Sequence, residues 1–237
     1  MEKSLHDREI AENLAVIQEQ MHAACHQAGR RTDSVRLLAV TKTVDPQRIN
    51  AAIRLGVHQI GENRVQEFLS KQSDLLLENT QVHLIGHLQT NKVRQIVGQV
   101  QMIESVDSVR LAAAISKRSE ELGIVTPILV EVNIGGEEAK SGVEPESLEQ
   151  ILTEISGFSG IHVHGLMTVP PILDTEYEKR QIFSKMYRLF VDIGAKKIDN
   201  IDMQELSMGM SGDYREAILE GSTIVRVGSA LFGRRQY

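Results

Sequence analysis

Leu37-Leu38-Ala39-Val40-Thr41-Lys42-Thr43 is an apolar, partly β-branched run that ends on a lysine and then turns at Asp45-Pro46. Its pattern is that of a strand buried on both faces, the kind that parallel sheets contain. A lysine where such a strand stops can lie at the mouth of a core, where partial desolvation disfavours an ammonium and leaves more free amine to attack a carbonyl. Lys42 is therefore a candidate Schiff-base lysine. The plainer alternative is a side chain that snorkels out of the strand end into solvent, and the rest of the chain has to decide between the two.

On the C-terminal side, Asp45 offers an N-cap and Pro46 a first-turn residue for a helix that carries Ile49, Ile53 and Leu55 before Gly56 stops it. On the N-terminal side, Ile10, Leu14, Ile17 and Met21 recur at helical spacing between Ser4 and Ala28, and Gly29 with Arg30-Arg31 ends that helix. Strand and helix patterns then alternate. Strands are predicted near His58–Gly61, Val82–Gly86, Met102–Val106, Ile128–Val132, Ile161–Met167, Glu205–Met208 and Ile224–Gly228. The clearest helices between them are Val65–Leu77, Val109–Leu122, Pro145–Ile155 and Tyr177–Ile193. With the first strand this makes eight, and the alternation implies a parallel sheet with right-handed crossovers. An α/β fold of the (β/α)₈ TIM-barrel type, with an extra N-terminal helix, is the leading architecture, and a doubly wound open sheet is the alternative. No Ser/Gly/Pro-rich linker divides residues 1–237, so one domain is expected. Only Ser229 to Tyr237 follow the eighth strand, too few for a full outer helix, and the first helix is expected to take that place in the ring.

The composition restricts the partners. The chain has 237 residues, 41% hydrophobic and 24% charged, with a formal charge of −6, which supplies no basic footprint for nucleic acid or an anionic membrane. Any phosphate must be held by local groups, which points to a small ligand. The single cysteine, Cys25, falls on the first amphipathic helix and reads as packing. The charged N-terminal segment has no apolar signal core and no run approaches membrane-spanning length, so a cytoplasmic protein is expected. A monomer is expected as well, because no exposed apolar stripe stands out.

In a barrel of this kind the active rim lies at the C-terminal ends of the strands, and phosphate commonly sits at the last two loops. That rule selects Lys42 after the first strand, Asn63 after the second, His87 after the third and Met167 after the sixth. It adds Ser207-Met208-Gly209-Met210-Ser211-Gly212 after the seventh and Val227-Gly228-Ser229-Ala230 after the eighth. The last two segments suit a phosphate: glycines such as Gly209 and Gly228 admit close backbone approach, Ser207, Ser211 and Ser229 carry donors, and a helix predicted near Asp213 to Glu220 begins just beyond. Arg226 lies two residues before Gly228, so strand parity puts both on one face. If that face is inward, the guanidinium can approach a ligand ring fixed at an aldehyde end and a phosphate end. A lysine for an aldehyde, a phosphate cup and a facing arginine together describe pyridoxal 5′-phosphate (PLP).

Leu37–Thr43, Ile60-Gly61-Glu62-Asn63, Ile85-Gly86-His87-Leu88-Gln89-Thr90-Asn91-Lys92, Gly165-Leu166-Met167, Leu206-Ser207-Met208-Gly209-Met210-Ser211 and Val225-Arg226-Val227-Gly228 resemble the motifs of the pyridoxal phosphate homeostasis protein family over about residues 35 to 233. The resemblance implies a barrel similar to the N-terminal domain of alanine racemase, with Lys42 as the Schiff-base lysine. It further implies that Ser207, Gly228 and Ser229 hold phosphate, that Arg226 faces the pyridine nitrogen, and that Asn63, His87 and Met167 line the ring. His164 stands where members of the family often carry arginine, and His87 where other residues are common. By resemblance the chain is a cofactor carrier that maintains intracellular PLP, with PLP-dependent apoenzymes as recipients, and not a turnover enzyme. The rivals are a minimal racemase, a Schiff-base aldolase and a module that uses the cofactor as a structural plug. The alanine racemases also place arginine at the ring nitrogen, and add a second domain and a tyrosine base for which this chain lacks the length.

Other features have plainer readings. His162 and His164 share a face, but no third ligand with supporting spacing accompanies them, so no metal site is expected. Met208 and Met210 read as gap-fillers. Gly135 to Gly142 superficially follows a nucleotide loop, but Ala139 occupies the glycine position before the lysine, and the segment reads as a flexible rim loop. Asp107 and Asp213 read as helix N-caps, and Glu104 and Glu131 as carboxylates able to pair with bases inside the barrel.

Overall fold

Arg36–Val40 forms β1, and its consecutive residues Leu38 and Ala39 are both fully buried although they face opposite sides of the sheet. Such two-sided burial requires cover on each face, and the remaining elements supply it. The computed structural model describes residues 2–137 and 141–233. Within these, α1 (Glu2–Gln27) precedes β1, and α2 (Pro46–Arg54), β2 (Gln59–Glu62), α3 (Val65–Lys71), β3 (Gln81–Leu84) and α4 (Val93–Ile96) follow it. The chain continues through β4 (Met102–Val106), α5 (Val109–Leu122), β5 (Thr126–Glu131), α6 (Leu148–Ile155) and β6 (Ile161–Met167). It ends with α7 (Glu176–Ala195), β7 (Ile201–Met210), α8 (Tyr214–Leu219), β8 (Ile224–Val227) and α9 (Ser229–Phe232).

The strands lie side by side in sequence order, and β8 pairs in parallel with β1 to close the barrel. Closure sets Leu38 opposite Arg226, while Met167 on β6 lies opposite Ser207 on β7. The (β/α)₈ expectation is met and the open-sheet alternative is not. The first helix takes its expected place: Ile10, Leu14, Ile17, Met21 and Cys25 are buried on one face of α1, which packs on α2, α8 and α9.

Several local boundaries differ from the sequence reading for identifiable reasons. The seventh strand starts earlier than predicted, because its first half alternates half-buried with exposed residues and carries no apolar run. The predicted helix 65–77 is α3 followed by a 3₁₀ turn at Gln72–Asp74, and the predicted helix 145–155 opens with a 3₁₀ turn at Pro145–Ser147. Asp45 caps α2 as expected, its carboxylate accepting from the N–H groups of Gln47 and Arg48. Asp107 is not the cap of α5; the neighbouring Ser108 hydroxyl accepts from Leu111 N–H instead. Asp213 occupies the N-cap position of α8 but turns its carboxylate back to Met210 N–H. In the proposed rim loop, Glu138, Ala139 and Lys140 lie outside the described residues.

Candidate functional site

Lys42 lies two residues beyond β1, half-buried, and has no hydrogen-bond or ion-pair partner among the described residues. The chain on either side of it is firmly held. Buried Thr41 donates through its hydroxyl to Glu62 on β2, and its carbonyl accepts from the Lys71 ammonium at 2.9 Å. Lys71, at the end of α3, also pairs with Glu62 at 2.8 Å and Glu67 at 3.1 Å. Glu67 in turn accepts from Thr43 N–H, and Thr43 sits in the left-handed region at φ 62°. Burial pushes the Glu62 carboxyl up, against the hydrogen bonds from Lys71 and Thr41 that pull it down.

Behind the rim, four strands contribute to one buried polar chain. His83 Nδ1 on β3 lies 2.6 Å from Glu104 on β4, and Glu104 accepts at 2.6 Å from the hydroxyl of Ser207 on β7. The Ser207 oxygen accepts at 2.7 Å from Arg226 on β8, whose second amino group donates at 2.8 Å to the Thr168 carbonyl. These bonds across the barrel fix the Arg226 side chain inward, as parity allowed. Burial pushes its guanidinium down against the pull of Glu104, Asp213 and Glu131. For Glu104 burial acts upward, but His83, Arg226 and Ser207 outweigh it and hold the carboxyl below its ordinary range. The expected pairing of Glu104 with bases is therefore present. Among the described residues Glu131 has no direct basic partner; it accepts from Ser141, and burial pushes it up.

The other sequence-derived candidates sit on the same C-terminal rim. Gly86 approaches Asn63 so closely that a Cβ there would fall 2.3 Å from the Asn63 carbonyl oxygen. The Asn63 side-chain oxygen is buried with no hydrogen-bond partner among the described residues. His87 is exposed and anchored by Asp107 at 3.0 Å, and Met167 is fully buried at the end of β6. At the last two loops, Ser211 Oγ accepts from Gly228 N–H at 3.2 Å and Ala230 N–H at 3.3 Å. Gly209, at φ 94°, lies against α8, where an added Cβ would meet Ala217 Cβ at 2.5 Å. Ser229 is exposed at the start of α9. Ser207 differs from its neighbours, because its hydroxyl is already committed to Glu104 and Arg226.

Glu62, Glu67, Lys71 and His83 escaped the sequence reading. Lys71 reads as an ordinary basic residue in the last turn of a helix, and nothing local shows that it reaches back to Thr41. A buried carboxylate in the apolar strand ending Gly61-Glu62 was the one available signal. The histidine pair lies elsewhere, at the start of β6: His162 binds Asn200 at 2.9 Å and Asp202 at 3.0 Å, with its ring 4.7 Å from that of His164. Among the described residues no group of three or more His, Cys, Asp or Glu side chains is placed to hold a metal ion.

A closed parallel barrel with a half-buried lysine just beyond its first strand and an inward arginine on its last defines a class, and residues 8–236 match the family model described as alanine racemase, N-terminal domain. At 43% identity over 226 residues, covering 95% of this chain and 98% of the relative, the chain is similar to the pyridoxal phosphate homeostasis protein of Aquifex aeolicus. It belongs to the pyridoxal phosphate homeostasis protein family. Among solved structures, an unknown protein from Bifidobacterium adolescentis superposes with a TM-score of 0.91 at 42% identity, with 96% of each chain covered. PipY of Synechococcus elongatus, solved with PLP bound, gives 0.84 at 34% identity, covering 94% of this chain and all of that one.

Proposed function

We propose that this protein binds pyridoxal 5′-phosphate through Lys42 and holds it for homeostasis of the cofactor, as a carrier and not a turnover enzyme. The observation that carries the reading is Lys42: half-buried on a rim where its neighbour Lys71 has three partners, it has none among the described residues. PLP supplies an aldehyde with which a primary amine condenses, a C=N bond forming as water leaves. The residues present suit the rest of the molecule. The convergent N–H groups of Gly228 and Ala230, which hold the Ser211 oxygen, are donors of the kind an anionic oxygen requires. The unpartnered Asn63 oxygen can accept from a ring substituent. Ser211, Gly209, Gly228 and Ser229 form the phosphate side, Met167 and His87 flank the ring, and Ser207 acts by steadying Arg226.

A guanidinium at the pyridine nitrogen would disfavour protonation there and weaken the electron sink on which racemisation and decarboxylation depend, but the alanine racemases share that arginine and turn over, so support for the carrier reading comes from the homeostasis proteins to which the chain is similar and not from Arg226. The test is borohydride reduction of the loaded protein followed by peptide mapping. The label is expected on Lys42, and Lys42→Ala is expected to be colourless; a variant as yellow as the parent would overturn the assignment. Amino acids incubated in deuterated solvent should show no enzyme-like α-proton exchange. Delivery to a PLP-dependent apoenzyme faster than from free cofactor separates a carrier from a structural plug.

A further inference from the structure

We infer that Lys71 and Glu67 are positioning residues for Lys42: they clamp the two peptide planes that flank it and so fix the direction in which its amine is presented. The inference rests on the assignment of PLP to Lys42 and adds the device that makes this lysine competent.

A residue's side chain leaves the backbone along Cα–Cβ, and that direction is set once the peptide planes before and after it are set. Before Lys42, the Thr41 carbonyl is held by the Lys71 ammonium at 2.9 Å and the Thr41 hydroxyl by Glu62. After Lys42, Thr43 N–H donates to Glu67 at 2.5 Å. Both clamps meet at one centre, because Lys71 pairs with Glu62 at 2.8 Å and Glu67 at 3.1 Å. The arrangement works against local preference. Thr43 is β-branched and stands at φ 62°, a conformation that persists only where surrounding bonds over-determine it. Lys71 is 7% exposed and Glu62 fully buried, and an ion pair so placed is weak evidence of a stabilising role because desolvation offsets its attraction. What the cluster does specify is backbone geometry at a single residue. Lys42 itself has no partner among the described residues, so the clamp constrains the main chain and not the amine.

The discriminating probe is a pair of ligands. PLP requires Lys42 for attachment, whereas pyridoxine 5′-phosphate keeps the ring and phosphate but has no aldehyde, so it reads the cradle alone. Lys71→Met and Glu67→Ala are compared with Glu67→Gln, whose amide oxygen can still accept from Thr43 N–H. The first two are expected to slow covalent attachment, followed by absorbance and borohydride trapping, about tenfold or more, with pyridoxine 5′-phosphate affinity unchanged. Glu67→Gln is expected to stay within about threefold of the parent. If Lys71→Met does not fold by circular dichroism, Glu67→Ala, at a partly exposed position, decides alone. Attachment at the parental rate in folded variants overturns the inference, as does an equal loss for both ligands. A parent protein that fixes no label on Lys42 would instead overturn the PLP assignment, and that result is read before any variant is made.

Discussion

Glu104 ties the His83 ring and the Arg226 guanidinium into one buried set, since it bonds His83 directly and reaches Arg226 through Ser207. Removing one member of such a buried set leaves an uncompensated charge, and Glu104→Ala is expected to cost about 3–5 kcal/mol, measured as a shift in the urea midpoint at unchanged slope. The pH dependence has a definite sign. The carboxyl is held below its unfolded value, so its contribution is complete above the ordinary carboxylate range and is lost as pH falls through the depressed folded value. Glu62, Glu131 and Asp213 are pushed up and act in the opposite sense, so the parent curve mixes both. The difference between parent and Glu104→Ala isolates the group, and that gap should narrow steadily on acidification. Lys42, Arg226 and the two glycine-serine loops were legible in the sequence because each sits where the barrel rule says a ligand sits. His83 and the reach of Lys71 back to Thr41 were not, because those contacts join residues 21 and 30 positions apart along the chain and only folding brings them together.

The short β7–α8 and β8–α9 connections show how an element can be dictated by one residue. Gly209 is both in the left-handed region and against Ala217, so Gly209→Ala is expected to lose about 1–3 kcal/mol from backbone strain alone. It should also weaken binding of pyridoxine 5′-phosphate, since the loop that carries Ser211 must move; calorimetric titration checks the second effect separately from the first. At α2 the stake is smaller. Asp45→Ala removes the acceptor for two N–H groups and should cost about 1 kcal/mol, visible as a lower thermal midpoint with PLP attachment retained. Helix and strand periods identified these elements wherever apolar residues recur. They failed at the polar first half of β7 and at the cap of α5, where Asp107 and Ser108 are both good caps by type and the outcome depends on the contact that draws the Asp107 carboxylate to the His87 ring.

Across the molecule, the premise on which a monomer is expected, that no exposed apolar stripe stands out, needs amending. Apolar side chains are exposed beside β6 and along α7, at Ile172, Tyr177, Tyr187 and Val191, next to a groove of about 740 Å³. Glu178, Lys185, Arg188 and Asp192 line the same groove and interrupt the patch with charges of both signs, which opposes burial in a stable dimer. Sedimentation equilibrium is expected to give the mass of one chain, and a concentration-dependent doubling would refute it. No helix among the described residues is long and apolar enough to cross a membrane. The first helix and the turn after it are tied to the far end of the chain: Asn13 donates to the Leu231 carbonyl, the Tyr214 hydroxyl donates to the Gln20 side-chain oxygen, and Arg30, just beyond the helix, donates to the Ile218 carbonyl. Ile17→Ala on that helix should cost about 2–5 kcal/mol if the tie is part of the cooperative fold, as one coincident transition by fluorescence and circular dichroism would show. The pairing of β1 with β8 has a temporal counterpart during synthesis. A nascent chain carries its first strand with one edge unsatisfied until the eighth strand is free to pair with it, so all eight strands must leave the ribosome before the mouth around the lysine closes.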